Sequence, residues 1–349
     1  MEMDNMEQTG GAIFEQGKQS IKVPVPVYIR ASASVVGTKE GKGPLGSLFD
    51  MIGVDDKFGC DTWEEAESTL QKEALTLAIG KAGLKNSDIR FLYAGDLLSQ
   101  SMASSFGLGS FGIPLLGVYG ACSTSALTLA SATIAIAGGV AQYAACVTSS
   151  HFASAEKEFR YPLAYGNQRP ASSSWTVTGS GAFIISSRKG ECDRAMLTGV
   201  TIGKIVDFGV KDSMNMGACM APAACDTILT HLEDFGRVPS DYDRIITGDL
   251  GMVGQQALIC MLREKGCDIE NVHMDCGIEI YDKSQGTASG GSGCGCAAVT
   301  LSAYILKQLE EKKWKRILFV PTGALLSKTS FNEGQTIPGI AHAIELVSP

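Results

Sequence analysis

Cys122 is the residue whose setting most invites chemistry. It lies in Gly120-Ala121-Cys122-Ser123-Thr124-Ser125, a turn of small residues that opens onto a long apolar run from Ala126 to about Ala141. This arrangement predicts a thiol at the start of an apolar helix, with Ser123, Thr124 and Ser125 as first-turn and capping groups. The free amides and positive end of that helix would stabilise a thiolate, and equally a bound carboxylate. Cys122 is therefore either a nucleophile or the floor of an anion pocket.

Other polar residues have settings that suit a site. Asp96 and Asp249 each follow a strand in a Gly-Asp-Leu sequence, where a carboxylate caps backbone amides, touches a ligand or holds a hard cation such as calcium. His151 closes Thr148-Ser149-Ser150-His151. Arg160 and Arg169 fall in the Tyr/Pro/Asn-rich loop 158–170, where a guanidinium is either solvated or functional, and Lys204 is a further cation. Gly179-Ser180-Gly181 and Gly291-Ser292-Gly293 lack a phosphate-loop lysine and the full dinucleotide spacing, so close strand packing accounts for them better. His231, His273 and His342 read as structural.

The elements that must position these residues alternate between strand and helix. Val23 to Ile29 reads as an edge strand carrying two prolines, Gly37 to Gly46 as a loop, and Thr62 to Ala82 as a helix closed by Gly83. Strands are expected at Ile89 to Ala94, Pro114 to Tyr119 and Ala144 to Thr148, giving a mainly parallel sheet covered by helices. The 349 residues, 45% hydrophobic, suffice for a large core. A net charge of -8 argues against a nucleic-acid surface. The eleven cysteines, including Cys122, Cys146, Cys260, Cys294 and Cys296 in apolar runs, read as reduced and buried. Met1-Glu2-Met3-Asp4-Asn5 has no charged-then-apolar signal pattern. Thr128, Ser131, Thr133 and Gly138 interrupt the apolar stretch 126–147, which reads as a buried helix and strand, not a membrane span.

The second half repeats the first. Arg244 to Leu250 echoes Arg90 to Leu97, and a shift of 172 positions sets Cys122 on Cys294, Ala126 on Ala298 and Thr128 on Thr300. The shared order of turn, apolar helix, break and strand implies an internal duplication with halves 1–190 and 191–349.

A duplicated α/β chain with a helix-start cysteine resembles the thiolase and ketoacyl synthase superfamily. Gly43-Pro44-Leu45-Gly46, Ala94 to Leu98, Gly120 to Ser125, Thr148 to His151, Phe159-Arg160-Tyr161-Pro162, Thr176 to Ala182, Met220 to Ala224, Gly290 to Cys294 and Ile337 to His342 resemble, within it, the stage V sporulation protein AD family. The resemblance implies a thiolase-like five-layered αβαβα fold and a homodimer paired through the strand Pro114 to Tyr119. It further implies binding of dipicolinic acid (pyridine-2,6-dicarboxylate), with or without calcium, during its uptake into the developing spore. Partners would be dipicolinate and other stage V sporulation A membrane proteins. The protein would lie on the forespore inner membrane through those partners, without a span of its own and with no cofactor beyond the calcium.

Superfamily condensing enzymes need second-half partners for the cysteine, such as histidines or a His/Asn pair. Here the matching strand end reads Thr247-Gly248-Asp249-Leu250, the glycine-rich turn Gly290 to Cys294 has neither His nor Asn, and Pro321-Thr322-Gly323-Ala324 stands where a thiolase places its last cysteine. The expectation is a catalytically silent member, the alternative being an acyl-transfer enzyme with Cys122 as nucleophile. A planar dianion asks for two donor clusters flanking a slot. Cys122, Ser123 and Thr124 would provide one, Arg160, His151 and Lys204 the other, with Asp96 and Asp249 nearby.

Overall fold

The computed structural model describes residues 14–160 and 168–349. Met1 to Asn5, and Tyr161 and Pro162 of the Phe159 to Pro162 motif, lie outside the described residues. The first half carries β1 (Tyr28–Val36), α1 (Trp63–Ala82), β2 (Phe91–Gly95), α2 (Met102–Leu108), β3 (Leu115–Gly117), α3 (Thr124–Ala137), β4 (Tyr143–Ser150), α4 (Phe152–Phe159), β5 (Trp175–Thr176) and β6 (Gly179–Ser186). The second carries β7 (Ala195–Thr201), α5 (Met216–Phe235), β8 (Arg244–Thr247), α6 (Gly251–Glu264), β9 (His273–Asp275), β10 (Gly291–Ser292), α7 (Cys294–Thr300), β11 (Arg316–Val320), β12 (Thr322–Ala324), β13 (Gly339–Ala341) and β14 (Ala343–Val347).

The main sheet runs β9-β8-β11-β14-β7-β1-β6-β4-β2-β3. Outward from the β7–β1 seam, each half therefore shows its first long strand, then its last, fourth, second and third. Directions repeat as well. The two inner pairings of each half are antiparallel and the two outer ones parallel. The mainly parallel sheet expected from the sequence is thus a mixed one, because the last strand of each half inserts antiparallel beside the first.

Helices α1 and α2 cover one half-sheet, α5 and α6 the other, and α3 and α7 pack together between them. The strands consequently bury both faces and alternate between two apolar interfaces, which explains their continuous hydrophobic runs. Ala31, Ala33 and Val35 of β1 meet Leu70, Ala74 and Ala78 of α1. On the second half, Ile245 and Leu318 join Ala224 and Ile228 of α5. The middle layer gathers Ala126, Leu129 and Ala130 of α3 with Ala297 and Ala298 of α7, Phe183 and Phe319. The polar interruptions of α3 are satisfied within the helix: the Thr128 hydroxyl donates to the Ser125 carbonyl at 2.9 Å and Thr133 to Leu129 at 2.7 Å. Among the described residues no helix is long and apolar enough to cross a membrane.

Local rules fix many boundaries. The Thr62 hydroxyl accepts from the Glu65 amide at 3.2 Å while the Glu65 carboxylate accepts from the Thr62 amide at 3.1 Å, a capping box that starts α1. Gly83 at φ 66° ends it. Val23 to Val27 forms no strand and the strand begins at Tyr28, because Pro24 and Pro26 have no amide to donate, although the Val23 amide and the Val27 carbonyl still bond to β7 at 3.1 and 2.9 Å. The loop expected at Gly37 to Gly46 contains a helical turn at Thr38–Gly41. All eleven cysteines are free, but Cys260 and Cys192 are exposed, Cys260 facing outward from α6 despite its apolar neighbours.

Gly323 of β12 decides how closely the Cys122 turn can sit. A Cβ there would lie 2.4 Å from the Gly120 carbonyl oxygen and 3.2 Å from the Cys122 amide. Gly323→Ala is therefore expected to lower stability by about 1–3 kcal/mol, as overpacking against backbone does. Denaturant unfolding of the two proteins measures this, and unchanged stability would mean the turn moves freely.

Candidate functional site

A cavity draws its lining from both halves. Cys122 enters it from the turn before α3, Ala155 and Phe159 from α4, Thr176 from β5, Ser292 from β10, Asp249 from the end of β8 and Ala324 from β12. Ala121 takes φ 48°, a left-handed conformation that costs a non-glycine residue about 1–2 kcal/mol and turns the next residue toward the cavity. Such strain gathers where a side chain must be presented.

Asp249 closes this end. Its carboxylate accepts from the Gly293 amide and the Thr322 hydroxyl, each at 2.9 Å, and from the Cys122 thiol. Burial pushes its pKa up to about 7 against those three donors. Cys122 is raised well above the ordinary thiol range, by burial first and then by the charge of Asp249 and the neighbouring Cys294. A helix N-terminus contributes about 0.3–1 kcal/mol, up to ~2 in favourable geometry. Each pKa unit of the opposing shift is worth about 1.4 kcal/mol, so the thiol stays neutral.

The other end is cationic. Arg160 lines the cavity, and its Nε lies 3.1 Å from Glu156 Oε1, the same oxygen that Arg169 Nη2 meets at 2.7 Å. The two guanidinium side chains are 14% exposed and Glu156 8%. Two largely buried cations thus share one carboxylate. Arg160's pKa is lowered by burial, with Glu156 acting against that and Arg169 adding to it. Arg169 lies against the stacked pair of Phe152 and Trp175, 5.3 and 5.0 Å from their centroids. Arg160 points its Nη1 at the sulfur of Met214, 2.7 Å away, a weak acceptor. The excess positive charge therefore lies at the cavity.

Residues 17–347 match the family model of stage V sporulation protein AD. The chain is 44% identical over 330 residues to the stage V sporulation protein AD of Bacillus subtilis (strain 168), covering 94% of this chain and 96% of that one. It belongs to the stage V sporulation protein AD family. Membership makes it a sporulation protein. Among solved structures it is similar to 3-oxoacyl-[acyl-carrier-protein] synthase III from Aquifex aeolicus, with a TM-score of 0.55, 13% identity and coverage of 92% of this chain and 99% of that one. Cerulenin-bound OleA from Xanthomonas campestris is similar too, with a TM-score of 0.58, 18% identity and coverage of 92% and 96%. These likenesses show the thiolase-like fold.

In this family member the cavity brings together Cys122, Arg160 and Asp249 and leaves the other sequence candidates outside its lining. Ser123 and Thr124 turn their hydroxyls back into their own loop, donating to the carbonyls of Gly120 and Ala121 at 2.6 Å each, carbonyls that also accept the Ser123 and Thr124 amides at 3.0 and 3.2 Å. His151 caps α4: Nδ1 accepts from the Ala153 amide at 3.1 Å and Nε2 reaches the Asp56 carbonyl at 2.7 Å. Asp96 caps the next turn through the Leu98 and Ser104 amides, both at 2.9 Å. Lys204 pairs with Asp226 at 2.8 Å on the surface. Asp96 and Asp249 therefore share no calcium site, and the described residues contain no group of three His, Cys, Asp or Glu side chains suited to a metal. None of the four histidines lines the cavity. Sequence reasoning missed Glu156 as the shared carboxylate, and missed Tyr119, Ser174, Thr176 and Ser292 as lining residues. The alternation Ser174-Trp175-Thr176 was the available signal for one wall.

The electrostatics of Cys122 predict sluggish reactivity. Alkylation of Cys122 at pH 8, followed by peptide mass spectrometry, should be far slower than that of exposed Cys260. Asp249→Asn should speed it, because removing that charge lowers the thiol toward its ordinary range. A wild-type Cys122 as reactive as a free thiol would contradict this account.

Proposed function

We propose that the cavity binds dipicolinic acid and that the protein is a catalytically silent ligand carrier in dipicolinate uptake during sporulation. The observation that carries this reading is the pair of buried guanidiniums, Arg160 and Arg169, on the single carboxylate of Glu156 at one end of the cavity. A net cation in a low-dielectric slot favours an anion, and a guanidinium matches the planar fork of a carboxylate. Leu97, Tyr119, Phe159 and Leu326 supply the apolar walls that a flat ring needs. The neutral Cys122 thiol beside Asp249, with no histidine on the lining, supports silence over acyl transfer. Calcium would then arrive bound to the ligand's own oxygens.

The same reading places the protein at the forespore inner membrane through other stage V sporulation A proteins, and as a homodimer. Strand β3 is one end of the described sheet and exposes Leu115 and Leu116 at 42% and 43%, with Tyr119 just beyond it at 47%. An uncovered apolar edge is a template for strand pairing. A second copy of the same edge satisfies it by two-fold symmetry.

Calorimetric titration with dipicolinate tests the ligand. Arg160→Lys should weaken binding by about 1–3 kcal/mol although the charge is kept, while Cys122→Ser, nearly isosteric, should largely preserve it. Asp249 is charged above about pH 7 and neutral below, so repulsion of the ligand's carboxylates grows with pH. Affinity should fall as pH rises from 6 to 8, with the change flattened in Asp249→Asn. Absence of binding, or an acyl adduct forming on Cys122 from acyl-CoA, would defeat the reading.

Light scattering tests the dimer. The mass should be twice the 36.7 kDa of the chain at micromolar concentration, and Leu116→Glu should halve it without loss of fold. A monomeric wild type would remove the edge-pairing claim.

A further inference from the structure

One wall of the cavity is made of hydroxyls contributed by both halves. Strands β5 and β10 form a two-stranded parallel sheet in which Ser292 is the partner of Thr176 and Gly291 of Trp175. Side chains alternate along a strand, so Ser174 and Thr176 share one face and Trp175 takes the other. Trp175 is accordingly packed away from the cavity, stacked on Phe152 with ring centroids 4.0 Å apart, while Ser174, Thr176 and Ser292 all line it. These three are 7%, 7% and 8% exposed. The Ser174 hydroxyl oxygen is fully enclosed and has no hydrogen-bond partner among the described residues. A buried hydroxyl without a partner costs roughly 1–3 kcal/mol, so the orphan favours any ligand that supplies an acceptor.

The wall also has a direction. At one end the Ser174 carbonyl accepts from Arg169 Nη1 at 3.1 Å, tying it to the guanidinium pair. At the other, Ser292 precedes Gly293, whose amide donates to Asp249. Hydroxyls therefore lead from the cationic end to the acidic end.

We infer that Ser174, Thr176 and Ser292 form a second, uncharged carboxylate subsite that makes the cavity selective for planar dicarboxylates over monocarboxylates. The inference rests on the dipicolinate reading above. Arg160 takes one carboxylate by charge. The hydroxyl wall takes the other by donating hydrogen bonds, which suits a position close to Asp249, where a ligand carboxylate must be held without a cation. A monocarboxylate satisfies the guanidinium end and leaves the wall unpaired.

The test compares dipicolinate with picolinate, the pyridine-2-monocarboxylate, by calorimetry on wild type and on Ser174→Ala, Thr176→Val and Ser292→Ala, with thermal unfolding confirming that each variant is folded. Wild type should prefer dipicolinate by about ten- to a hundredfold, the range for a hydrogen bond to a charged acceptor. Variants of the wall should lose dipicolinate affinity and leave picolinate unchanged. Thr176→Ser, which keeps the hydroxyl, should retain the preference and guards against a variant that fails for lack of fold. Wild type that binds both ligands equally, or wall variants that weaken both alike, would overturn the subsite while leaving the dipicolinate reading standing. Wild type that binds neither would overturn that reading and the subsite with it.

Discussion

Asp249 is a carboxylate enclosed among neutral donors, and much of the site depends on how that burial is balanced. Removing a carboxylate from water costs several kcal/mol even after the protein relaxes. Hydrogen bonds to a charged group return about 1.5–3 kcal/mol each. Three such donors, the Gly293 amide, the Thr322 hydroxyl and the Cys122 thiol, offset most of the penalty but not all of it, and the group settles near pH 7. The donors come from the start of α7, from β12 and from the turn before α3, so one side chain joins the three segments that meet at the cavity floor. After burial, its charge also helps to hold the Cys122 thiol above its ordinary range.

The opposite end is balanced the other way. Arg169 lies against the stacked rings of Phe152 and Trp175 and reaches Glu156. Arg160 reaches the same oxygen only through Nε, and the rest of its fork has a thioether for company. Glu156 neutralises one of the two cations. The cavity is in consequence polarised, cationic at α4 and acidic at β8, with an apolar and hydroxyl-bearing wall between. Such a field suits a ligand that is anionic at one end and hydrogen-bonding at the other. A purely electrostatic trap for a dianion would have carried cations at both.

What was legible in the sequence followed from local rules. The capping box at Thr62, the left-handed stop at Gly83 and the small-residue turn before α3 each act within a few residues, and the structure keeps them. Prolines 24 and 26 gave the right physical cause but the wrong extent, since Val23 to Val27 forms no strand. The antiparallel insertion of β6 and β14 was not legible, because it depends on pairing between distant segments. The site divided similarly. Cys122 announced itself by its turn, while Glu156 looked like any acidic residue of an amphipathic helix until Arg160 and Arg169 folded onto it. Ser123 and Thr124 were well chosen as hydroxyls near the thiol, but a tight turn consumes its own hydroxyls.

The two Gly-Asp-Leu sequences show why a repeat cannot be read twice in the same way. Asp96 and Asp249 follow equivalent strands, β2 and β8, and both are buried. Asp96 finds its donors in the chain that immediately follows it, at Leu98 and Ser104, and becomes a local cap. Asp249 finds its donors far along the chain, at Gly293 and Thr322, because Asp275 has already taken the amides of Leu250 and Gly251 at 2.9 and 3.0 Å. With its local partners occupied by another carboxylate, Asp249 is left to the cavity. The asymmetry between halves arises from that competition for two amides, which no comparison of the Gly-Asp-Leu residues themselves contains. The cysteines at α3 and α7 diverge by similar means. Cys294 donates to the Ser149 carbonyl at 2.9 Å and is fully buried, whereas Cys122, which follows Ala121 at φ 48°, lines the cavity. The same residue types, at matching places in the two halves, thus compete for different partners.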